Sequence, residues 1–224
     1  MLEIDVELGA AVAPERQAAA MRASTARLFR VQPGSWAGGR PAGGAGLLVL
    51  AGLLLHCKHW RERVGAELVG PGDLLRPWPG DATIDCVPLK SEWHVLSTAR
   101  VAVLDAPWCH RMAAWPEVSI ELTGRALERS RRSVELLAIN QIRRLDVRVW
   151  LLLWRLADRF GQVHLDGVHL ELPLTHQQLA ELAGARRPSL SAALARLTRD
   201  GRLRQSGPVW VLIGGPPDDE SPAS

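Results

Sequence analysis

The stretch from Pro173 to Arg199, PLTHQQLAELAGARRPSLSAALARLTR, constrains the fold of this chain more than any other part of the sequence. Thr175 can cap a first helix, and Gln178, three residues later, can bond back to the backbone of the cap, which is a capping-box pattern. Gly184 can adopt the left-handed conformation that ends a helix, and Pro188 suits the first turn of the next helix. The stretch therefore predicts two short helices joined by a tight turn.

The apolar residues of each predicted helix fall on one face. They are Leu179, Leu182 and Ala183 in the first helix, and Leu190, Leu194 and Leu197 in the second. The other face of the second helix carries small residues, with two arginines at its head. This is the helix-turn-helix pattern, whose second helix enters the major groove of DNA. The alternative is a helical hairpin that serves only as core or as a protein-binding surface.

A short hairpin is expected directly after these helices, from Arg202 to Ile213 around Ser206-Gly207-Pro208, and would form the wing. Backbone N–H groups at the start of the first helix can hold a phosphate, bidentate arginine can read guanine, and small side chains can meet a thymine methyl group. The expected DNA contacts are Thr175, His176, Gln177, Arg186, Arg187, Pro188, Ser189, Ser191, Ala192, Arg196, Arg202 and Arg204.

The segment LTHQQLAELAGARRPSLSAALARLTRDGRL resembles the C-terminal winged helix-turn-helix of the Crp/Fnr family of bacterial transcription regulators. The resemblance is strongest over residues 145–213 and extends more weakly to about residue 45. It implies an α+β fold: an N-terminal antiparallel jelly-roll domain like a cyclic-nucleotide-binding domain, a long dimerisation helix and a C-terminal winged helix-turn-helix. It also implies that Arg187 contacts a guanine edge, whereas the family's next contacts, a Glu and an Arg, are Pro188 and Ala192 here.

The expected regions are a jelly-roll sensor domain with an N-terminal helix at 1–115, a dimerisation helix at 116–144, the winged helix-turn-helix at 145–213 and a disordered tail at 214–224. Glycine and proline punctuate short apolar runs from Leu28 to Val103, which is typical of an antiparallel barrel or jelly roll. Pro14 is expected to start an N-terminal helix. Asp146 is expected to cap the helix VRVWLLLWRLADRF that directly follows it in the sequence. Val163–Leu172 alternates around Asp-Gly and predicts a hairpin.

The segment after Pro116 carries a heptad repeat. Ile120, Leu127 and Val134 recur every seven residues, and Leu137 and Ala138 continue the stripe. Such a repeat predicts a long amphipathic helix with a coiled-coil-like seam. In the resembled family the dimerisation helix lies here, so these five residues are expected to form the interface of a homodimer. The alternative is a helix packed along its own barrel, and both can hold together.

Cyclic nucleotide is not the expected effector. Family members that bind it carry a Gly-Glu pair and, several residues later, an Arg followed by a small residue. The corresponding segment here, RPWPGDATIDCVPLKSEW, has neither. A buried phosphate without arginine lacks its charge-assisted bidentate contacts. The effector small molecule therefore stays unknown.

No metal, cofactor or catalytic residue is expected. Cys57, Cys86 and Cys109 are too few and too widely spaced for an iron–sulfur cluster, and the segment His56–His59 offers too few ligands for structural zinc. The alternative from another class is a metal-dependent jelly-roll (cupin-like) enzyme with an appended interaction domain. A third hypothesis is an adaptor that uses the same helices without DNA.

The charge of the chain is unevenly distributed. Residues 125–210 carry 15 Lys+Arg against 8 Asp+Glu, whereas residues 1–124 carry 12 against 13. A basic excess in the half that holds the helix-turn-helix predicts an electrostatic footprint for DNA. The expected partners are double-stranded DNA with a palindromic operator and a second copy of the chain, with RNA polymerase as a further candidate.

The protein is expected to be cytoplasmic and to have no membrane partner. The N-terminus MLEIDVELG lacks the basic region of a secretory signal, and the apolar run Ala45–Leu55 is too short to span a bilayer, which needs about 20 residues. The scattered cysteines suit a reducing compartment.

Overall fold

The computed structural model describes residues 1–38, 43–77 and 89–216. The chain divides into two compact units. The first comprises Met1–Glu62 and Glu67–Arg132, and the second comprises Arg63–Ala66 and the chain from Ser133 onward.

The first unit combines N-terminal helices, a set of strands and two further helices. The helices are α1 (Val6–Ala10), α2 (Pro14–Ala23), α3 (Ala106–Met112) and α4 (Pro116–Asn140), of which α4 continues into the second unit. The strands are β1 (Arg27–Val31), β2 (Gly34–Ser35), β3 (Gly46–Ala51), β4 (Leu54–Trp60), β5 (Arg63–Val69), β6 (Leu74–Leu75), β7 (Lys90–Val95) and β8 (Ala99–Leu104), and the first four residues of β5 are counted with the second unit. The helix expected to start at Pro14 is confirmed.

These strands form two four-stranded sheets, in the orders β1-β8-β3-β6 and β2-β7-β4-β5, and the registered pairs are antiparallel. One core cluster combines Leu47 and Val101 of the first sheet with Leu54 and Trp93 of the second, so the sheets pack face to face. The other face of the first sheet, including Leu48, packs against the helices in a second cluster. Because both faces are covered, the apolar run of β3 is continuous rather than alternating.

Helix α3 was not foreseen from the sequence, which assigned this segment to the strand-rich domain. Asp105 is its N-cap, with Oδ1 accepting a hydrogen bond from the Trp108 backbone N–H at 3.0 Å, and Pro107 lies in its first turn. The Trp108 side chain is buried, and its Nε1 donates to the Ser24 carbonyl oxygen at 3.2 Å. An Asp followed two residues later by Pro was the available signal.

Three arginines hold one face of α4 against the first unit. Arg125, Arg129 and Arg132 lie at i, i+4 and i+7, which places them on one side of the helix. Their partners are Asp5 for Arg125, at 2.6 and 2.9 Å, Glu67 for Arg129, and Asp73 for Arg132. Asp73 is only 2% exposed, and its second oxygen accepts the Gly70 backbone N–H at 2.9 Å. This charged face fixes the rotation of α4 about its own axis.

The predicted apolar stripe lies on the opposite side of α4 and is exposed. Ile120, Leu127, Val134 and Leu137 are 71%, 67%, 63% and 63% exposed, and Ala138 is exposed as well. The helix ends at Asn140, four residues before the predicted end.

The second unit contains α5 (Leu145–Phe160), β9 (Gly161–His164), β10 (Gly167–Glu171), α6 (His176–Leu182), α7 (Arg187–Arg199), β11 (Leu203–Ser206) and β12 (Val209–Leu212). Its sheet has the order β11-β12-β10-β9. The Asp-Gly hairpin between β9 and β10 and the wing hairpin between β11 and β12 are both confirmed. In α5, Val149, Leu152, Leu153 and Leu156 are buried in the core of the unit.

The expectation that Asp146 caps α5 is wrong. The N-cap position is Arg144, and Asp146 lies inside the first helical turn. Its Oδ2 accepts a hydrogen bond from Arg144 Nη2 at 3.0 Å, which lowers the pKa of Asp146. The acid still stabilises the helix, because a negative charge in the first turn interacts favourably with the helix dipole.

Two of the segments interpreted from the sequence lie mainly outside the described residues. The comparison with a phosphate clamp rests mainly on residues 78–88, which include Cys86, and the predicted disordered tail rests mainly on residues 217–224. Within the described ranges, no set of three His, Cys, Asp or Glu side chains is arranged to hold a metal ion. Over the same ranges, the search for a helix of sufficient length and apolarity to span a bilayer finds none.

The ion pair of Glu67 gives a pH-dependent test of the α4 attachment. Burial acts to raise the pKa of Glu67, but the hydrogen bond with His56 at 3.0 Å and the charge and hydrogen bond of Arg129 outweigh it and lower the pKa to about 2, from an ordinary 4.5. A carboxylate with a depressed pKa contributes stability that is complete above about pH 4.5 and is lost as the pH falls toward 2.

We therefore expect Glu67→Gln to lower the free energy of unfolding by roughly 2–3 kcal/mol at pH 7. The deficit relative to the wild type should shrink as the pH falls from 4.5 to 3, measured by urea unfolding at each pH. The control is Glu128→Gln, whose carboxylate is half-exposed and, among the described residues, pairs with the exposed Arg131. A deficit that stays constant over this pH range would contradict the assignment.

Candidate nucleic-acid interface

The capping box at the start of α6 is confirmed. Thr175 Oγ1 accepts the Gln178 backbone N–H at 3.2 Å, and the Thr175 backbone N–H donates to Gln178 Oε1 at 2.9 Å. Both side chains are therefore fixed by local bonds, and the start of α6 is set where the sequence placed it.

The turn between the two helices is a Schellman motif. Gly184 has φ of +58°, its N–H donates to the Glu181 carbonyl at 3.2 Å, and the Ala185 N–H donates to the Ala180 carbonyl at 2.8 Å. The paired bonds satisfy the carbonyls at the end of α6, and a residue with a Cβ would be strained at this φ.

Helix α7 begins at Arg187 with Pro188 in its first turn, as the sequence predicts. Leu190, Leu194 and Leu197 are buried against the rest of the unit. The opposite surface is solvent-exposed and consists of Arg186, Arg187, Pro188, Ser189, Ala192, Ala195, Arg196 and Arg199. The residues expected to read bases thus lie together on one accessible face, apart from Ser191, which is half-buried.

A hydrogen bond between His176 and Ser191 was missed by the sequence analysis. His176 Nδ1 lies 3.2 Å from Ser191 Oγ, so the first turn of α6 is tied to the outer face of α7. The two residues are fifteen positions apart, and no local pattern indicates the pairing. Ser191 consequently has its hydroxyl engaged within the protein before any DNA contact.

The arginines of this surface fall into two groups. Arg196 Nε lies 3.4 Å from Asp146, and Arg204 pairs with Asp166 in the turn between β9 and β10. The Asp166 carboxylate also lies 2.8 Å from His169 Nε2, and the hydrogen bonds with His169 and Arg204 lower the pKa of Asp166. In contrast, four arginines form no ion pair with any described residue: Arg186, Arg187, Arg199 and Arg202.

The arrangement has the chemistry of a surface that binds a polyanion. Arg187 leads a helix whose exposed face also carries the small residues Ser189, Ala192 and Ala195, so the helix backbone can approach the edges of base pairs closely at these positions. Arg202 and Arg204 lie at the wing, where guanidinium groups suit phosphate oxygens. Thr175, His176 and Gln177 lie at the start of α6. The residues selected from the sequence therefore occupy the start of α6, the exposed face of α7 and the wing.

Comparison with known proteins agrees with this geometry. Residues 147–213 match the family model described as the Crp-like helix-turn-helix domain. The regulatory protein CysR of Synechococcus elongatus is 29% identical over 167 residues, which cover 71% of this chain and 72% of CysR.

Two solved structures share the fold of most of the chain. FixK2 from Bradyrhizobium japonicum has a TM-score of 0.66 at 17% identity, over 85% of this chain and 93% of that one. A cyclic nucleotide-binding domain containing protein from Listeria monocytogenes has a TM-score of 0.69 at 16% identity, over 92% and 96%. These likenesses confirm the predicted α+β fold.

The capping box predicts a local contribution to stability. Replacement of Thr175 by Ala removes the acceptor for the Gln178 N–H, and we expect the free energy of unfolding to fall by about 1 kcal/mol. Thr175→Asp should keep most of the stability because its carboxylate can accept the same bond. Urea unfolding at pH 7 measures both, with Gln177→Ala, which removes only a bond to the Glu181 side chain, as the control. Equal stability of the two alanine variants would show that the cap contributes nothing.

Proposed function

We propose that this chain, a transcription regulator of the Crp/Fnr type, binds a palindromic operator in duplex DNA as a homodimer and inserts α7 of each copy into the major groove. The observation that carries the proposal is the exposed face of α7, which is headed by Arg186 and Arg187 and flanked by the wing arginines. The match of residues 147–213 to the Crp-like helix-turn-helix domain supports it. The comparisons give no support to the cupin-like enzyme.

Arg187 is the base-reading residue in this proposal. Its guanidinium is exposed at the first turn of α7 and has no ion pair among the described residues. A planar fork of donors suits the O6 and N7 acceptors of guanine. Ser189 and Ala192 would add short contacts from the same face, and Ser191 would have to give up or share its bond with His176.

The remaining contacts would go to the DNA backbone. Arg186, Arg202, Arg204 and Arg196 would meet phosphates, the last two after exchange of their carboxylate partners. The sugar-phosphate chain would also contact the N-termini of the two helices, through Thr175, His176 and Gln177 of α6 and Pro188 of α7. Phosphate contacts set the position of the protein, whereas base contacts select the sequence.

The dimer would form through α4. Ile120, Leu127, Val134 and Leu137 are large apolar side chains, each more than 60% exposed on one side of a 25-residue helix, and Ala138 completes the seam. A heptad stripe that stays in water in one chain can be buried against the same stripe of a second copy. Two copies related by two-fold symmetry would present two α7 helices to two half-sites.

The signal that controls this regulator is proposed to be something other than a cyclic nucleotide, since the sequence lacks the family's Gly-Glu pair and Arg-small pair. RNA polymerase is a further candidate partner, and the cytoplasm is the proposed place of action. Genome-wide mapping of bound DNA would identify the regulated genes and indicate the class of signal.

Arg187→Ala tests the reading of DNA. We expect a loss of about 1–3 kcal/mol in binding to a duplex selected by the wild-type protein, and a relaxed preference at one base pair in each half-site. Fluorescence anisotropy on the selected duplex and on single-base variants measures both effects. Arg22→Ala, on the exposed surface of α2, is the charge-matched control. Equal losses on selected and random DNA would mean that Arg187 contacts only phosphate.

Leu127→Asp tests the dimer. A carboxylate at the centre of the seam would be buried without a partner, so we expect a monomer by sedimentation velocity at a concentration where the wild type is dimeric. Leu165→Asp, which alters a fully exposed leucine in the hairpin between β9 and β10, should remain dimeric. A wild-type protein that sediments as a monomer at all concentrations would refute the homodimer.

A further inference from the structure

The end of α4 and the turn between α6 and α7 meet at one guanidinium within the second unit. Arg148 Nε donates to the Ile142 carbonyl oxygen at 2.8 Å, and Nη2 donates to the same oxygen. Nη1 donates to the Ala183 carbonyl oxygen at 3.2 Å. One side chain therefore binds the connector that follows α4 and the residue that closes α6.

These carbonyls are strong acceptors for a cation. The Ala183 carbonyl, at the carboxyl end of α6, lacks an intrahelical partner and lies at the negative end of the helix dipole. Ile142 lies two residues after the end of α4, and Ala183 one residue after the end of α6. Hydrogen bonds from a charged donor to such groups are stronger than those between neutral groups.

Arg148 is held in place by the helix that carries it. It lies in the first turns of α5, where its backbone N–H bonds to the Arg144 carbonyl at 3.0 Å. The next residues, Val149 and Trp150, are buried in the core of the unit. The guanidinium is thus projected from a fixed element toward two connecting segments.

Asn140 supplies a second link between the same two places. Its Nδ2 donates to the Leu182 carbonyl oxygen at 3.3 Å. A Cβ placed on Gly184 would lie 3.6 Å from Asn140 Cγ, so the left-handed turn packs directly against this side chain. Asn140 therefore links the last residue of α4 to the end of α6, and Arg148 links the connector after α4 to the same place.

We infer that Arg148, assisted by Asn140, is a positioning residue that fixes the helix-turn-helix against the dimer-forming end of α4 and thereby determines which half-site spacing the regulator accepts. The inference rests on the proposed function. Val134, Leu137 and Ala138 of the apolar seam lie on the last two turns of α4, immediately before these links. A rigid connection from the seam to α7 sets the separation of the two recognition helices, whereas a loose one would let that separation vary.

The test uses the full chain and duplexes that the wild-type protein selects from a random pool. Binding is measured by fluorescence anisotropy on the selected duplex, on versions with the spacer lengthened or shortened by one base pair, and on a single half-site. Arg148→Met keeps the length of the side chain and removes its donors. Arg143→Met is the matched control, because Arg143 is exposed in the connector after α4.

The wild type and Arg143→Met should lose about tenfold or more in affinity when the spacer changes by one base pair. Arg148→Met should lose less than about threefold for the same change and keep its half-site affinity within about twofold. Asn140→Ala should shift the spacing profile in the same direction. Arg148→Lys keeps the charge, reaches only one carbonyl, and should fall between the wild type and Arg148→Met.

A spacing profile in Arg148→Met that runs parallel to that of the wild type, with uniformly weaker binding, would overturn the inference and leave Arg148 a purely structural residue. Should Arg148→Met fail to fold, unchanged profiles in Arg148→Lys and Asn140→Ala would overturn it instead. A wild-type protein that selects no duplex would contradict the proposed function. If the wild type selects a duplex and the variants keep its spacing preference, the proposed function stands and only the role of Arg148 is refuted.

Discussion

The ion pair between Arg132 and the buried Asp73 is the interaction on which the arrangement of α4 depends. A carboxylate that is 2% exposed is costly to bury unless a cation and hydrogen bonds compensate it, and here Arg132 and the Gly70 N–H do so. Successive residues on a helix are separated by about 100° around its axis. The rotation that brings Arg132 to Asp73 therefore turns Val134 about 200° away from it, toward solvent. The same spacing separates Arg125 from Leu127, so charge burial on one side exposes the apolar seam on the other.

The helix-turn-helix could be predicted almost completely from the sequence, because the rules that shape it act over a few residues. The capping box of Thr175 and Gln178, the left-handed Gly184 and the first-turn Pro188 each specify a backbone conformation locally. The wing and the Asp-Gly hairpin follow from similar local signals. The sequence could not indicate the contacts of Arg148 or the bond between His176 and Ser191, since these pair residues that only the folded chain brings together.

The partner that a charged side chain takes is decided by the folded chain and not by its residue type. Asp146 has the chemistry of a cap but lies inside α5, where Arg144 and Arg196 compete for its carboxylate. The basic excess of residues 125–210 is a count of residue types and does not show which arginines already have acidic partners. Arg125, Arg129 and Arg132, which contribute to that count, pair with acids of the first unit. Charge counting measures composition, whereas electrostatic potential depends on which charges already have partners.

The carboxylates that hold Arg196 and Arg204 have a further consequence for how strongly the protein would adhere to nucleic acid in general. If a phosphate took Arg196 or Arg204, the carboxylate that it released, Asp146 or Asp166, would keep its bond to Arg144 or His169 but would lie near a negatively charged backbone. Phosphate binding by Arg196 or Arg204 then exchanges one ion pair for another and adds repulsion between the phosphate and the carboxylate, so it contributes little to the binding free energy. Non-specific binding to genomic DNA would therefore be weakened. A specific site that contacts Arg186, Arg187, Arg199 and Arg202, which have no ion pair among the described residues, would keep its affinity.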